Sequence, residues 1–374
     1  MLKSSAFRAV QRRSLSTGGT RGPKAAAAAT AATATATARA PRHLMSMNDV
    51  SPAELSALVR FASERKKAIR DLDVDPRSFR RGLTGTAVAM MFSKRSTRTR
   101  VSTEAAVAQL GGQPMFLGKD DIQLGVNESL LDTSKVISSM TSCMVARVGP
   151  HSDVTGLAKH SSVPVINALS DDYHPLQTIA DFVTLYETFG PSSSGNSSRL
   201  GLEGLKVAWV GDSNNVLFDL ATACVKMGID ISVASPPGYG VPDHMRTSIL
   251  GAANDAAGGK KNAGKFAETT EPALAVKDAD VIVTDTWVSM GQEEEQKKRL
   301  KAFEGYQVTS KMAKSGGAKE NWKFMHCLPR HPEEVADEVF YSDRSLVFPE
   351  AENRLWAAVA ALEGFVVQKG KLQF

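Results

Sequence analysis

Two doubly wound α/β domains, with parallel sheets and an active site in the cleft between them, are what this sequence predicts. Three observations carry that reading. At 374 residues the chain is long for one domain and natural for two. Short apolar runs of strand length alternate with helical patterns along most of it, as parallel βαβ units require. Near the middle, Pro191-Ser192-Ser193-Ser194-Gly195-Asn196-Ser197-Ser198 breaks the composition and marks a boundary.

The chain opens on a leader. Up to Asn48 there is no Asp or Glu, but there are eight basic residues, from Lys3 to Arg42. Without them the chain keeps 37 basic against 40 acidic residues, a formal charge of −3 rather than +5. The basic balance therefore belongs to the leader, and a nucleic-acid role for the folded part loses its support. A basic, Ala/Ser/Thr-rich, acid-free leader without a long apolar core reads as a mitochondrial transit peptide over 1–42. The plainer reading is a low-complexity arm around Ala25–Ala38. Apolar runs fall far short of a membrane span. Cys143, Cys224 and Cys327 are too widely spaced for a metal or disulfide pattern.

Asn48-Asp49 can cap a first helix, from Ser51 to about Ile69. Thr86–Phe92 then reads as a buried strand, and Val101–Leu110 as a helix ended by Gly111-Gly112. Between them, Ser93–Arg100 carries four cations and four hydroxyls on a strand-to-helix turn. Free N–H groups and the positive end of the helix dipole gather at such a turn, so it suits an anion. A solvated basic turn is the bland alternative. Gln113–Leu117 and Cys143–Val148 read as strands, with a helix from about Ser129 to Ser142 between them. Val163–Ala168 is another strand, and Asp171–Gln177 opens a helix reaching about Thr188.

Beyond the boundary, Lys206–Asp212, a helix over about Val216–Met227 and Asp230–Ser235 form a βαβ unit. Gly251–Gly264 reads as a surface insertion. Asp280–Asp285 and Lys323–Cys327 are strands that end in polar residues, and a helix from about Asn353 to Val367 closes the chain. In such sheets ligands collect at the carboxyl ends of strands. Polar clusters fall there in both halves: Ser93–Arg100, Arg147 and His174–Gln177, then Asp212–Asn215, Asp285–Gly291 and His326–His331.

No G-x-G-x-x-G or Walker A pattern occurs, so the anion is a phosphate on a molecule smaller than a nucleotide. His174 and Gln177, three apart on one helical face, can address one ligand together. Asp285 can hold an ammonium group, and the Glu- and Lys-rich stretch after it reads as a mobile lid. Cys327, beside His326 and Arg330, could be a thiolate nucleophile or a small polar contact for an amine. No base-and-orienter arrangement surrounds it, which favours contact.

Taken together, Ser96-Thr97-Arg98-Thr99-Arg100, His174-Pro175-Leu176-Gln177, Asp285-Thr286-Trp287-Val288-Ser289-Met290-Gly291 and His326-Cys327-Leu328-Pro329-Arg330 resemble the ornithine carbamoyltransferase family. Phe348-Pro349-Glu350-Ala351-Glu352-Asn353-Arg354 resembles its closing signature, and the likeness runs from about residue 43 to the end. The first two motifs are shared with aspartate carbamoyltransferases.

The resemblance implies that Ser96, Thr97, Arg98 and Thr99 hold the phosphate of carbamoyl phosphate. Arg147 and His174 would meet its carbonyl oxygen, and Gln177 with the Leu328 backbone its NH2. Gln123 would reach a neighbouring subunit's site. Asn215, Asp285, Ser289, Met290 and Cys327 would bind L-ornithine, and Cys327 and Arg354 match the family's catalytic positions.

It further implies citrulline formation for arginine biosynthesis or the urea cycle in the mitochondrial matrix. No metal or cofactor, no nucleic acid and no membrane are expected, and the assembly would be a homotrimer with sites at subunit boundaries. The domains would be 43–190 for carbamoyl phosphate and 191–348 for ornithine, with 349–374 packing back on the first. Departures are small: Ser213 for a common glycine, His331 for a common lysine, and insertions at Pro191–Arg199 and Gly251–Gly264. The rival readings are transfer to another amine acceptor and a non-catalytic phosphate-binding relative.

Overall fold

A computed structural model describes residues 40–75, 78–79, 81–122, 128–191, 199–256, 259–288 and 295–374. The first half begins with α1 (Pro52–Arg70), capped by Ser51, whose hydroxyl accepts from Glu54 N while the Glu54 carboxylate returns the bond. Then follow β1 (Ala87–Phe92), α2 (Arg98–Gln109), β2 (Gln113–Gly118), α3 (Leu130–Met140), β3 (Cys143–Arg147), α4 (His151–His160), β4 (Val165–Leu169) and α5 (Pro175–Phe189). Among the described residues the strands form one parallel sheet in the order β2-β1-β3-β4. Val88, Ala89, Met90 and Met91 of β1 are wholly buried, as a parallel strand covered on both faces must be.

The second half repeats the plan. Its elements are β5 (Lys206–Val210), α6 (Asn215–Met227), β6 (Asp230–Ala234), α7 (Asp243–Ala252), β7 (Phe266–Thr269), α8 (Pro272–Val276), β8 (Val281–Val283), α9 (Gln296–Ala302), α10 (Ser310–Ser315), β9 (Lys323–Met325), α11 (Asp337–Phe340) and α12 (Val347–Leu362). All described strands again run parallel, in the order β7-β6-β5-β8-β9.

Both orders reverse direction at a central pair, β1/β3 in one sheet and β5/β8 in the other. A crevice opens at the carboxyl ends of such a pair. The predicted fold class therefore stands, and each sheet aims its crevice through an identifiable pair of strands. Two devices tie the halves together. Near the start, Lys226 of α6 donates to the carbonyls of Met47 (3.0 Å), Asn48 (3.3 Å) and Val50 (3.1 Å), and Asp219 accepts from Met47 N at 2.7 Å. At the end, α12 packs against α1, α2 and α5. No described helix is long and apolar enough to cross a membrane.

Several elements differ from expectation. Helix α2 begins at Arg98 rather than Val101, because Thr99 N donates to Ser96 Oγ and closes the first turn inside the basic stretch. Helix α12 begins at Val347 rather than Asn353, since Pro349 stands in the first turn, where its missing N–H costs no bond. Helices α4, α7, α8, α10 and α11 and strand β7 were not legible from their patterns, and α9 falls in the stretch expected as a lid.

Candidate functional site

The β1-to-α2 turn and the end of β3 meet through sheet register. Phe92 pairs with Arg147, and Ser93 N donates to the Arg147 carbonyl at 2.9 Å, so the Arg147 side chain stands beside the basic turn. In the other sheet Val283 pairs with Met325, which carries Asp285 alongside Cys327 two residues further on. Between the two sets lies a cleft of about 910 Å³. The first half lines it with Ser96, Thr97, Arg98, Thr99, Arg147 and His174. The second supplies Asn215, Asp285, Cys327 and Leu328, and α12 adds Arg354. Gln123, Ser289 and Met290 lie outside the described residues.

The first half is strongly cationic. Arg147 and Arg354 are 8% and 4% exposed, and burial above all lowers each to about 10, helped by repulsion from Arg354 at Arg147 and from Arg98 at both. Both remain charged at neutral pH. His174 is buried beside Arg354, Arg147 and Arg98; burial first, and then those charges, push its ring well below the ordinary imidazole range. It is therefore a neutral imidazole with one N–H to offer. Arg147 Nε, Arg354 Nε and His174 Nδ1 are buried and find no partner among the described residues. Unpaired buried polar atoms of this kind ask for a polar ligand.

The second half is built on a carboxylate. Asp285 accepts from the Cys327 thiol at 3.0 Å and from Asn214 Nδ2 at 2.8 Å. Burial, followed by the Asp285 charge, pushes the Cys327 thiol well above its usual range. A thiol held protonated is no nucleophile, which agrees with the contact reading of Cys327. Asn215 Nδ2 crosses to the Ser170 carbonyl at 2.6 Å. Leu328 takes a left-handed backbone (φ 62°) before a cis bond to Pro329, and its carbonyl accepts from Arg98 Nη2 across the cleft. At the rim, Arg299 of α9 bonds the Trp287 carbonyl (2.6 Å) and pairs with Asp212 (2.5 Å). Burial lifts the Asp212 carboxyl to about 6. The lid expected after Asp285 is described only from Glu295 onward.

Gln177 departs from its predicted position. It does not line the cleft, and its amide oxygen accepts from Arg354 Nη1 at 2.6 Å. The shared helical face does not arise because His174 precedes the helix as its cap, with φ −139° and ψ 65°. Its ring therefore turns toward the cleft while Gln177 points into the interior.

Three contributors were given no role in the sequence reading: Asn214, Asp181 and Glu350. Asn214 caps α6 by accepting from Val216 N and Leu217 N, and spends its amide nitrogen on Asp285. An asparagine just before a helix was the available signal. Asp181 and Glu350, buried behind the lining, carried no such cue.

Comparison with known proteins agrees with this architecture. Residues 42–187 match the family model of the aspartate/ornithine carbamoyltransferase carbamoyl-P binding domain, and residues 203–364 that of the Asp/Orn binding domain. The chain is 66% identical over 334 residues to a mitochondrial ornithine carbamoyltransferase of Emericella nidulans, covering 89% of this chain and 91% of that one. It is 46% identical over 333 residues to an ornithine carbamoyltransferase of Saccharomyces cerevisiae, with 89% and 96% covered. The solved structure of a mitochondrial ornithine carbamoyltransferase from Coccidioides immitis superposes with a TM-score of 0.82 at 63% identity, over 89% of this chain and 100% of that one. A cationic crevice on one parallel sheet, a carboxylate crevice on the other and a matched model for each half have one explanation: the chain belongs to the aspartate/ornithine carbamoyltransferase family.

Proposed function

We propose that the cleft transfers the carbamoyl group of carbamoyl phosphate to the side-chain amine of L-ornithine, giving L-citrulline and phosphate. The observation that carries this reading is the pairing of the Ser96–Thr99 turn, opposite in chemistry, with Asp285 and Cys327 across one cleft. Pure phosphate binding would need only the first.

Ser96, Thr97, Arg98 and Thr99, at the start of α2, hold the phosphate with charge-assisted bonds. Arg147 and His174 face the carbonyl oxygen, and the Leu328 carbonyl accepts from the carbamoyl NH2. Asp285, with Asn215 and Cys327, orients the neutral amine, and Ser289 and Met290 complete the ornithine side. The amine nitrogen bonds to the carbamoyl carbon while the carbon–oxygen bond to phosphate breaks. The electron pair leaves with the phosphate, which also takes the surplus amine proton. Charge building on the carbonyl oxygen meets donors that Arg147, His174 and Arg354 already aim into a buried site, so little reorganisation is needed. Holding both reactants in one cleft supplies much of the remaining acceleration.

Citrulline formation assayed in parallel with ornithine, aspartate and acetylornithine tests the acceptor. Turnover with ornithine alone is expected, because Asp285 would repel the aspartate side chain. Turnover with none of the three overturns the enzymatic reading.

The domain limits follow the same proposal: 43–190 for the donor, 191–348 for the acceptor, and 349–374 returning to the first. The packing of α12 against α1, α2 and α5 supports the last of these. Arg42 pairs with Glu54 and donates to the Gly370 carbonyl at 3.1 Å, which supports a leader that ends before Arg42 rather than at the expected residue 42. A homotrimer, with Gln123 reaching a neighbour's site, is supported by the exposed apolar side chains Val101, Met115, Leu131, Val136 and Met140 on α2, β2 and α3. Sedimentation equilibrium is expected to give three times the monomer mass, and a monomer would refute it.

A further inference from the structure

Behind the cleft, α5 and α12 enclose a buried polar cluster that touches both halves of the site. Gln177, Asp181 and Glu350 are 1%, 2% and 2% exposed. The Gln177 amide nitrogen donates to Asp181 Oδ1 at 2.7 Å and to Glu350 Oε1 at 2.9 Å. Its oxygen accepts from Arg354 Nη1, and Arg354 Nη2 reaches Thr99 Oγ1 at 3.2 Å. Glu350 Oε2 accepts from His326 N at 2.9 Å, at the end of β9 and next to Cys327. Both carboxyls accept from the one Gln177 amide nitrogen, which holds them side by side.

An ionised carboxylate only accepts hydrogen bonds, and two of them side by side in a dry site cannot both stay ionised. One must hold a proton, and the donor count says which. Glu350 receives an N–H on each oxygen. Asp181 receives one, on Oδ1, and so has an oxygen left to carry a hydrogen. Arg354 bonds the Gln177 oxygen rather than either carboxyl.

We propose that Asp181 is a neutral carboxylic acid donating its proton to the Glu350 carboxylate, and that the pair positions Arg354 and the β9 end for turnover. With the pair in this state, the Gln177 NH2 must face the carboxyls and its oxygen must face Arg354. The guanidinium is thereby held between Gln177 and Thr99, while Glu350 holds the backbone beside Cys327. Burial pushes the titration of both carboxyls upward, as the shared proton requires. The other titratable groups acting on the pair are Arg354, which favours the ionised form, and Asp285, which opposes it. Cys224 of α6 faces Asp181 as a protonated thiol.

The turnover part of the test rests on the carbamoyl-transfer reading, so a spectroscopic arm stands beside it. Asp181→Asn replaces the acid O–H by an N–H donor of similar shape, whereas Asp181→Ala removes it. The alanine variant is expected to lose about 30- to 100-fold in kcat/KM for carbamoyl phosphate, and the asparagine variant to recover to within about threefold of wild type. Glu350→Gln sets its own NH2 against the N–H of Gln177 or His326 and is expected to lose at least about tenfold. Infrared difference spectra at neutral pH should show a protonated-carboxyl C=O band in the wild type that Asp181→Asn lacks, beside any from other buried acids such as Asp219. Asparagine as damaging as alanine, a fully active Glu350→Gln, or no lost band would each overturn the proposal. Should the alanine variant fail to fold, the infrared arm and the asparagine–glutamine contrast decide the matter. A wild type that makes no citrulline would overturn the reaction and leave the infrared arm to judge the pair.

Discussion

Replacing Arg98 by alanine is expected to raise the KM for carbamoyl phosphate roughly 30- to 1,000-fold, equivalent to about 2–4 kcal/mol. Arg98 opens α2, where the helix dipole already favours an anion, and its guanidinium adds a fork that matches phosphate oxygens. It also donates to the Leu328 carbonyl, the acceptor assigned to the carbamoyl NH2. One substitution therefore removes a phosphate donor and loosens the opposite wall. The fold should survive, because Arg98 is only half-buried and stands at a helix end. Calorimetry with carbamoyl phosphate, alongside circular dichroism, separates the two effects. Unchanged affinity would remove the phosphate from this turn.

Asp285→Ala is expected to act on the other substrate, raising the KM for ornithine by about the same 30- to 1,000-fold and leaving carbamoyl phosphate affinity near wild type. Both Asp285 oxygens are engaged in a nearly buried position, by Cys327 and Asn214. Removing the carboxylate strands both donors and takes away the negative charge facing the amine. Cys327→Ser keeps a donor toward Asp285 and should cost far less. Complete loss in the serine variant, with a covalent intermediate trapped in the wild type, would restore the nucleophile reading of Cys327. Steady-state kinetics with each substrate varied in turn reads out these differences.

What was legible in the sequence and what was not have physical reasons. The Ser93–Arg100 turn announced itself because an apolar strand, a basic and hydroxyl-rich turn and a helix stood in that order. The second strand of each central pair was equally visible, as short apolar runs leading to Arg147 and Asp285. Helix α4 was not, because it buries only Val154 and Leu157 and so has almost no apolar stripe. Strand β7 lies at a sheet edge with Ala267 and Glu268 exposed, so neither alternation nor a buried run marks it. Spacing misled at His174 and Gln177: a separation of three predicts a shared face only when both residues lie within the helix. Asp181 and Glu350 are far apart in the chain and act through Gln177, and no local pattern encodes such a cluster.

The return of α12 has a consequence for how the protein is made. This helix buries Trp356, Ala357, Val359, Ala360 and Ala361 in the core shared with α1, α2 and α5, and it carries Arg354. The first half of the chain therefore cannot complete its own core while it is being synthesised. It must wait until almost all 374 residues have left the ribosome. For a chain delivered across a membrane in extended form, that delay is useful. Until then the first half of the fold lacks one wall of its core and is expected to stay loosely packed. Its anion-binding turn becomes competent only when the last helix arrives, so the donor site and the finished fold appear together.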